Sequence, residues 1–470
     1  MEQQLEARIA ELLSGIVGEN YVFTDIETRR DYGHDETEDL SYPPSVLVKP
    51  ATTAEVSDIM KLASAYRIPV TPIGGRTGLS GGALAVHGGI GLSMERFNQI
   101  LEIDTRNFQV TVQPGVITQV LREAVASQGM FYPPDPSSMG SCFIGGNVSE
   151  NAGGARALKY GVTRDYVLNL EVVLPSGEVI NTGANTLKNS TGYNLTQLMA
   201  GSEGTLGIIT RIVLKLLPAV QHNVLMLVPF YAAAQACEAV AEIFRTGIVP
   251  SALEFMERDA IEWTLRYLDN VNLQIDDRVA AHLLIEVDGN HPEILYSQAE
   301  QIAGLLEKFE IGEILFADTE VQKNALWKLR RAVGEAVKSH SVYKEEDTVV
   351  PRFRLPDLLT GIKQIGAKYR FKSVCYGHAG DGNLHVNIVK GDMDDQAWRV
   401  SVPLGIREIF ELTISLGGTL SGEHGIGFVQ KNYMEIAFPA AHLDLFRGIK
   451  QLFDPMGILN PGKILPDQIS

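Results

Sequence analysis

Pro133-Pro134-Asp135-Pro136-Ser137-Ser138-Met139-Gly140-Ser141-Cys142-Phe143-Ile144-Gly145-Gly146-Asn147-Val148-Ser149-Glu150-Asn151-Ala152-Gly153-Gly154-Ala155-Arg156-Ala157-Leu158-Lys159-Tyr160-Gly161 is the stretch on which the fold turns. Prolines open it, and glycines punctuate it with short polar residues between. Glycine permits positive φ and close approach of backbone to a ligand. Successive bare N–H groups then cradle an anion without a cationic side chain. The run is neither a Walker loop, because no Gly-Lys-Ser/Thr follows, nor a G-x-G-x-x-G opening a helix. Alone it reads equally well as a glycine-rich surface loop. Two further runs change that balance: Pro72-Ile73-Gly74-Gly75-Arg76-Thr77-Gly78-Leu79-Ser80-Gly81-Gly82 and Gly201-Ser202-Glu203-Gly204-Thr205-Leu206-Gly207. Three such loops suit one extended, pyrophosphate-bearing cofactor touched from several sides.

The remainder of the chain bounds the class. Its 470 residues allow two or three domains, and 45% hydrophobic with 21% charged residues is ordinary for a globular protein. A net charge of −17 argues against nucleic acid and anionic membrane as partners. Three widely spaced cysteines, Cys142, Cys237 and Cys375, offer neither a disulfide framework nor an iron–sulfur pattern. Residues 1–18 read as an amphipathic helix with Leu5, Ile9, Leu12 and Leu13 on one face. Glu2, Glu6 and Glu11 give it the wrong sign for a targeting peptide. No apolar run reaches spanning length. The expectation is a cytoplasmic protein, peripheral to a membrane only through a partner.

Between about 40 and 220, strands and helices alternate. Val46-Leu47-Val48 reads as a strand, and Thr53-Ala54-Glu55-Val56 opens a helix with Val56, Ile59, Met60 and Ala63 inward. Pro175-Ser176-Gly177-Glu178 marks a hairpin. From 221 onward, strands at Val224–Val228, Ala281–Val287 and Val374–Val389 enclose helices at Tyr231–Arg245, Pro292–Phe309 and Val321–Lys338. That texture predicts a separate antiparallel sheet covered by helices.

A second chemical signal is Tyr376-Gly377-His378-Ala379-Gly380-Asp381-Gly382-Asn383-Leu384-His385-Val386-Asn387. Asp381-Gly382 is a strong two-residue hairpin turn. Counting outward from it sets His378 opposite His385, and Tyr376 opposite Asn387, with opposed Cβ atoms about 4.5–5.5 Å apart. A third ligand comes from Ser421-Gly422-Glu423-His424-Gly425-Ile426-Gly427. The alternative is a hydrogen-bonded polar cluster. Two imidazoles and a carboxylate suit Zn²⁺, Mn²⁺ or Fe²⁺. In Leu326-Trp327-Lys328-Leu329-Arg330-Arg331-Ala332-Val333, Arg330 shares a helical row with Leu326, Val333 and Val337. It reads either as a carboxylate clamp or as a snorkelling arginine with its head in water.

Taken together, these runs resemble the FAD-linked D-2-hydroxyacid dehydrogenases, within the vanillyl-alcohol-oxidase superfamily that shares the p-cresol methylhydroxylase fold. The family includes the glycolate oxidase flavin subunit and the D-lactate and D-2-hydroxyglutarate dehydrogenases. The resemblance covers about Asp39 to Pro466. It implies an α+β flavoprotein: a PCMH-type FAD-binding domain (1–220), an antiparallel-sheet cap domain (221–425) and a C-terminal segment (426–470) returning to the FAD domain. It implies that Pro72, Gly74, Gly75, Arg76, Thr77, Gly78, Leu79 and Ser80 contact the pyrophosphate region of FAD. Pro134, Asp135, Gly140, Ser141, Gly145, Asn147, Ser149, Asn151 and Gly154 would contact the ring and ribityl chain. Tyr160, Gly161, Val162, Glu203, Gly204, Ile209 and Asn460 would complete the site. His378, His385 and Glu423 become metal ligands, His424 the base, and Arg330 and Lys344 substrate-handling residues.

The chemistry so implied is oxidation of a short D-2-hydroxy acid, glycolate or D-lactate, to the 2-oxo acid. Gly334 stands where the 2-hydroxyglutarate enzymes carry a threonine, which argues against the longer dicarboxylate. His87 lies in no good tethering motif, so FAD is expected to be dissociable. The electron acceptor stays open among quinone, cytochrome, an iron–sulfur partner subunit and oxygen, and a homodimer is an allowed assembly. A D-2-hydroxyglutarate dehydrogenase, a metal-dependent hydrolase on a related fold and a binding module that has lost catalysis are the rival readings.

Overall fold

A computed structural model describes residues 2–268, 273 and 275–467. The chain divides into two compact units. Unit 1 holds Met1–Ala152, Val162–Ala219 and Glu423–Ser470; unit 2 holds Gly153–Gly161 and Val220–Gly422. The nine residues Gly153–Gly161, expected within a continuous first domain, therefore go with unit 2.

Unit 1 is built on two sheets. The first runs Val22–Phe23, Val46–Val48, Ile90–Ser93, Val70–Ile73, with the last three strands parallel. The parallel strands are buried on both faces almost throughout, so Val46–Val48 reads as an unbroken apolar run, while Thr71 and Ser93 are buried polar residues in the other two. The helix Thr53–Tyr66 buries Val56, Ile59, Met60 and Ala63, the face its period predicts. Its N-cap is Thr52, whose side chain accepts from the Glu55 N–H. The N-terminal helix Glu2–Val17 packs Ile9, Leu13 and Val17 into the same core. Leu12 is 37% exposed and off that face; the Leu5 side chain lies outside the described set. The C-terminal tail joins the sheet edge: the Val70 N–H donates to Ile458 O, and the Asn460 N–H to Val70 O.

The second sheet of unit 1 is antiparallel, ordered Ile100–Asp104, Gln109–Val112, Ile208–Lys215, Val167–Val173, Val179–Asn181. The predicted hairpin at 175–178 joins its last two strands. Just beyond Lys215, Leu217 and Pro218 pair with Phe131 and Met130 in a separate two-stranded ribbon.

Unit 2 is a seven-stranded antiparallel sheet, ordered Leu315–Ala317, His222–Phe230, Ala281–Gly289, Ala252–Glu257, Lys372–Gly377, Asn383–Val389, Tyr343–Val349. Helices Arg258–Tyr267, Glu320–Arg331 and Val333–His340 cover one face. Helices Ala233–Arg245, Pro292–Leu306, Leu355–Tyr369 and Asp395–Ser415 cover the other. The helix expected over Val321–Lys338 is two helices, broken at Ala332. Among the described residues no helix is long and apolar enough to cross a membrane.

Candidate functional site

In unit 1 the three glycine runs converge. A Cβ on Gly74 would touch Gly146 Cα at 3.8 Å, and one on Gly75 would meet Ser141 O at 2.8 Å. The third run closes on the first, since a Cβ on Gly204 would strike Pro72 Cγ at 2.8 Å. Glycine is thus required at 75 and 204 by close backbone approach. Backbone hydrogen bonds add to this: Gly201 N–H to Val148 O at 2.9 Å and Glu203 N–H to Ser149 O at 2.8 Å.

Among the described residues, no backbone N–H from Gly74 to Ser80 donates to a protein acceptor. Arg76 sits at φ 59°, in the left-handed region, which turns consecutive N–H groups into one concavity. A Cβ on Gly78 would meet nothing within 4 Å. This cradle fits an anionic pyrophosphate. The Arg76 guanidinium faces elsewhere, towards Asp31 and over the Tyr32 ring at 4.4 Å. Its part in the cradle is therefore backbone.

Several polar side chains expected at the cofactor are engaged within the protein. Asp135 is buried and pairs with Arg122 at 3.8 Å. Asn147 Nδ2 donates to Thr118 Oγ1 at 2.7 Å. Asn151 closes the helix Ile144–Glu150 in a left-handed conformation, and its Oδ1 accepts from the Arg164 N–H. Asn460 Nδ2 donates to Gly82 O and Glu203 O, tying the first loop to the third. Tyr160 Oη donates to Asp288 within unit 2 at 2.9 Å. Gly145 packs against Pro114, and Ile209 lies in the strand Ile208–Lys215 opposite Val172. Gly140 and Ser141 are exposed. These residues shape the loops, and the N–H groups of the first run face no protein acceptor among the described residues.

Beside the loops lies a buried cluster of titratable groups: Asp35, Glu150, Glu203 and Lys463. Burial, then the Glu203 carboxylate, pushes the Glu150 carboxyl well above its usual range. Its Oε2 is buried without a hydrogen-bond partner. Burial pulls Lys463 down to about 8 against the opposing pull of the carboxylates. As pH rises, the unfolded chain releases the Glu150 proton before the folded one does. Glu150's contribution is therefore complete at low pH and lost as pH climbs towards its raised value. Glu150→Gln should remove that loss. The melting temperature of the variant, relative to wild type, should be higher at about pH 8 than at about pH 5, by about 2–4 °C per kcal/mol relieved. Parallel thermal scans at the two pH values check this.

In unit 2 the strand register gathers a polar row on the face under Arg258–Tyr267 and Glu320–Arg331. Tyr376 and Asp347 both pair with His385, and Glu345 pairs with Asn387. Two strands away, Glu254 lies on the same face, in register with Leu284. The His378 and His385 rings approach to 5.4 Å between centroids at 82°. His378 Nδ1 lies 2.9 Å from Glu254 Oε2. That contact suits the Nδ1–H tautomer, in which Nε2 is the basic nitrogen. His385 Nδ1 lies 3.4 Å from Asp347 Oδ1.

The hairpin itself corrects the expected register by two residues. The strands end at Gly377 and begin again at Asn383, with a short 3₁₀ turn Ala379–Asp381 between them. Tyr376, not His378, faces His385, and Val374 rather than Tyr376 faces Asn387. Two close approaches enforce this. Gly382 at φ 86° packs where a Cβ would collide with the Val350 carbonyl oxygen, and a Cβ on Gly377 would meet Asn383 O at 2.6 Å. A shift of two conserves strand parity, so His385 keeps its face.

Arg330 is buried at 4% exposure, which excludes the snorkelling alternative. Its Nη2 lies 2.7 Å from Glu254 Oε2, and its guanidinium stands 5.2 Å from the Tyr376 ring centre. Its buried Nε–H has no hydrogen-bond partner among the described residues. Gly334 follows on the same face: a Cβ there would come to 3.3 Å from Tyr376 Oη. Lys344 is a correction. It pairs with Ile388, so strand alternation turns it away from Glu345, Asp347 and His385. It takes no part in the polar row.

Glu423 and His424 open the C-terminal segment of unit 1, directly after Gly422. Within unit 2, Asp347 Oδ2 accepts from Ser421 Oγ at 2.9 Å and from the Gly422 N–H at 2.8 Å. Glu254, Asp347 and Glu345 were not anticipated. The available signal was a lone acid in an apolar strand, as in Ala252-Leu253-Glu254-Phe255-Met256.

Comparison with known proteins bears on all of this. The C-terminal domain family of the FAD linked oxidases matches residues 219–464, and an FAD binding domain family matches residues 44–183. A protein from Anaerostipes hadrus named D-lactate dehydrogenase is 39% identical over 443 residues, 93% of each chain. The glycolate oxidase subunit GlcD of Bacillus subtilis is 40% identical over 434 residues, 92% of this chain and 91% of its own. The structure of p-cresol methylhydroxylase with substrate bound superposes with a TM-score of 0.79 at 17% identity, covering 99% of this chain and 98% of that one. That likeness speaks to fold alone.

Proposed function

The chain belongs to the FAD-linked oxidase family, and from that premise we propose that it oxidises a short D-2-hydroxy acid, glycolate or D-lactate, to the 2-oxo acid. One observation carries the reading beyond the family. Unit 2 buries two imidazoles 5.4 Å apart, one held by Glu254, beside an arginine that shares Glu254 and keeps a buried N–H unpartnered. Paired neutral imidazoles suit a divalent metal, and an unpartnered guanidinium N–H suits a carboxylate.

In this reading His378, His385 and Glu423 would hold Zn²⁺, Mn²⁺ or Fe²⁺, and the N–H groups of Gly74–Ser80 would hold the FAD pyrophosphate. When bound, the flavin accepts a hydride and the divalent ion acidifies the substrate hydroxyl. Arg330 grips the substrate carboxylate and fixes which face of C2 is presented. His424 takes the hydroxyl proton at an imidazole nitrogen, where ordinary histidine basicity suffices once that proton is made acidic. Glu254 keeps His378 in the ligating tautomer and balances the charge of Arg330. Position 334, a glycine, offers no hydroxyl to a distal carboxylate, which favours the short acids over 2-hydroxyglutarate. The three dispersed, buried cysteines of this chain suit no cluster, so the acceptor of the flavin's electrons would be a quinone, a cytochrome, an iron–sulfur partner subunit or oxygen.

Anaerobic mixing of the flavin-loaded protein with a panel of D- and L-2-hydroxy acids tests the proposal. Bleaching by D-lactate or glycolate is expected; a flavin that no 2-hydroxy acid reduces would refute it. A second expectation concerns the metal. Glu254→Gln should weaken metal retention by about 10–100-fold, the usual effect of losing a carboxylate behind a ligating histidine. Metal analysis after dialysis against a graded chelator checks this.

A further inference from the structure

We propose that Glu203 is a positioning residue for His424, holding in place the turn on which the Glu423–His424 pair is mounted. The inference deepens the proposed dehydrogenase function and rests on it. Glu203 stood in the sequence as a cofactor contact, but its carboxylate is taken by protein. Oε1 accepts from the Ile426 N–H at 2.7 Å and Oε2 from the Gly427 N–H at 2.6 Å. Both bonds are short and charge-assisted, and together they grip two consecutive peptide units of unit 1. The gripped residues begin two positions after His424.

The turn has little freedom to find another shape. Gly425 has φ 77° and Gly427 φ 51°, both left-handed. A Cβ on Gly425 would collide with Glu150 Oε2 and come to 3.1 Å from the Glu203 carboxyl. The turn is therefore pressed against two carboxyl groups, one of which bonds it. The Phe428 N–H donates to Ser80 O at 2.8 Å, tying the next residue to the first glycine loop.

Glu203 itself is held at a cost. Its φ is 50°, a region where a side chain is strained, between Gly201 at 84° and Gly204 at 65°. Such a conformation persists only where the surroundings over-determine it. Here they do: the Glu203 N–H donates to Ser149 O, and Glu203 O accepts from Asn460 Nδ2. A cofactor contact alone gives no reason to bury a carboxylate aimed at two N–H groups. A rigid mount for a base does, because proton transfer depends steeply on placement.

Glu203→Gln tests the role in the flavin-loaded protein, since the amide keeps the shape but turns an N–H donor towards an N–H group. Two readouts separate the outcomes. Hydrogen exchange at Ile426 and Gly427 should accelerate by about tenfold or more. The limiting rate of flavin reduction by D-lactate or glycolate should fall by about tenfold or more, with flavin content and substrate saturation constant unchanged. Glu203→Asp, with the charge on a shorter arm, should fall between variant and wild type in both. Should Glu203→Gln yield no folded protein, Gly425→Ala pushes the same turn off the Glu150 and Glu203 carboxyl groups and should slow reduction likewise. Unchanged exchange at 426–427, or faster exchange with reduction rates within twofold of wild type, overturns the proposal. Loss of flavin in place of slower reduction also overturns it, returning Glu203 to the cofactor. A wild-type flavin that no 2-hydroxy acid reduces refutes the dehydrogenase reading instead, and the exchange measurement still decides the anchor.

Discussion

His424→Ala is expected to slow flavin reduction by D-lactate or glycolate by about 10²–10⁴-fold, the range spanned by loss of a positioned general base. The flavin should remain bound, because the cradle of N–H groups at Gly74–Ser80 involves no side chain from the 423–427 turn. The pH profile separates this from simple misfolding. Wild-type reduction should rise with pH as the base loses its proton, and that limb should vanish in the variant. Rapid-mixing spectroscopy under anaerobic conditions measures both. Survival of the limb would place the base elsewhere.

Arg330→Met should carry the largest cost in stability. Glu254 is fully buried, and Arg330 lies 2.7 Å away as its cationic partner. Removing one member of a buried ion pair strands the other, at about 3–5 kcal/mol. At about 2–4 °C per kcal/mol, unit 2 should melt some 6–20 °C lower. The companion Arg330→Met/Glu254→Gln should regain much of that loss, because no charge is then left unpaired; the difference measures the coupling directly. Both variants should lose affinity for the hydroxy acid, since the proposed clamp is gone from each. Recovered stability without recovered affinity separates the two jobs of Arg330. A single variant as stable as wild type would show the pair to be incidental.

How far the sequence could be read depended on which physical rule governed each element. Helix Thr53–Tyr66 was legible because its buried face, Val56, Ile59, Met60 and Ala63, follows helical periodicity without competition. The pairing of His378 with His385 was legible from Asp381-Gly382, but only in outline. The strongest local turn signal gave way to tertiary packing, with Gly382 seated against the Val350 carbonyl, and the register moved by two. Lys344 misled because its neighbourhood was matched and its parity was not; in a strand one residue decides the face. The cofactor loops were legible as glycine runs, yet Asp135, Asn147 and Asn460 turned out to be engaged inside the protein. Glycine spacing reveals where backbone must come close. It does not reveal which side chains already have partners. Glu254, Asp347 and the grip of Glu203 on 426–427 depend on contacts 36 to 224 residues apart in sequence, and no local pattern encodes those.

The most direct test of the account asks whether metal and flavin act on the same substrate. The purified protein, yellow and flavin-loaded, is stripped with a chelator, dialysed, and mixed without oxygen with D-lactate or glycolate before and after stoichiometric Zn²⁺ or Mn²⁺. The account predicts that stripping leaves the flavin bound but slows its bleaching by at least about a hundredfold, several kcal/mol of Lewis-acid assistance being lost, and that added metal restores the rate. Equal bleaching with and without metal would contradict it.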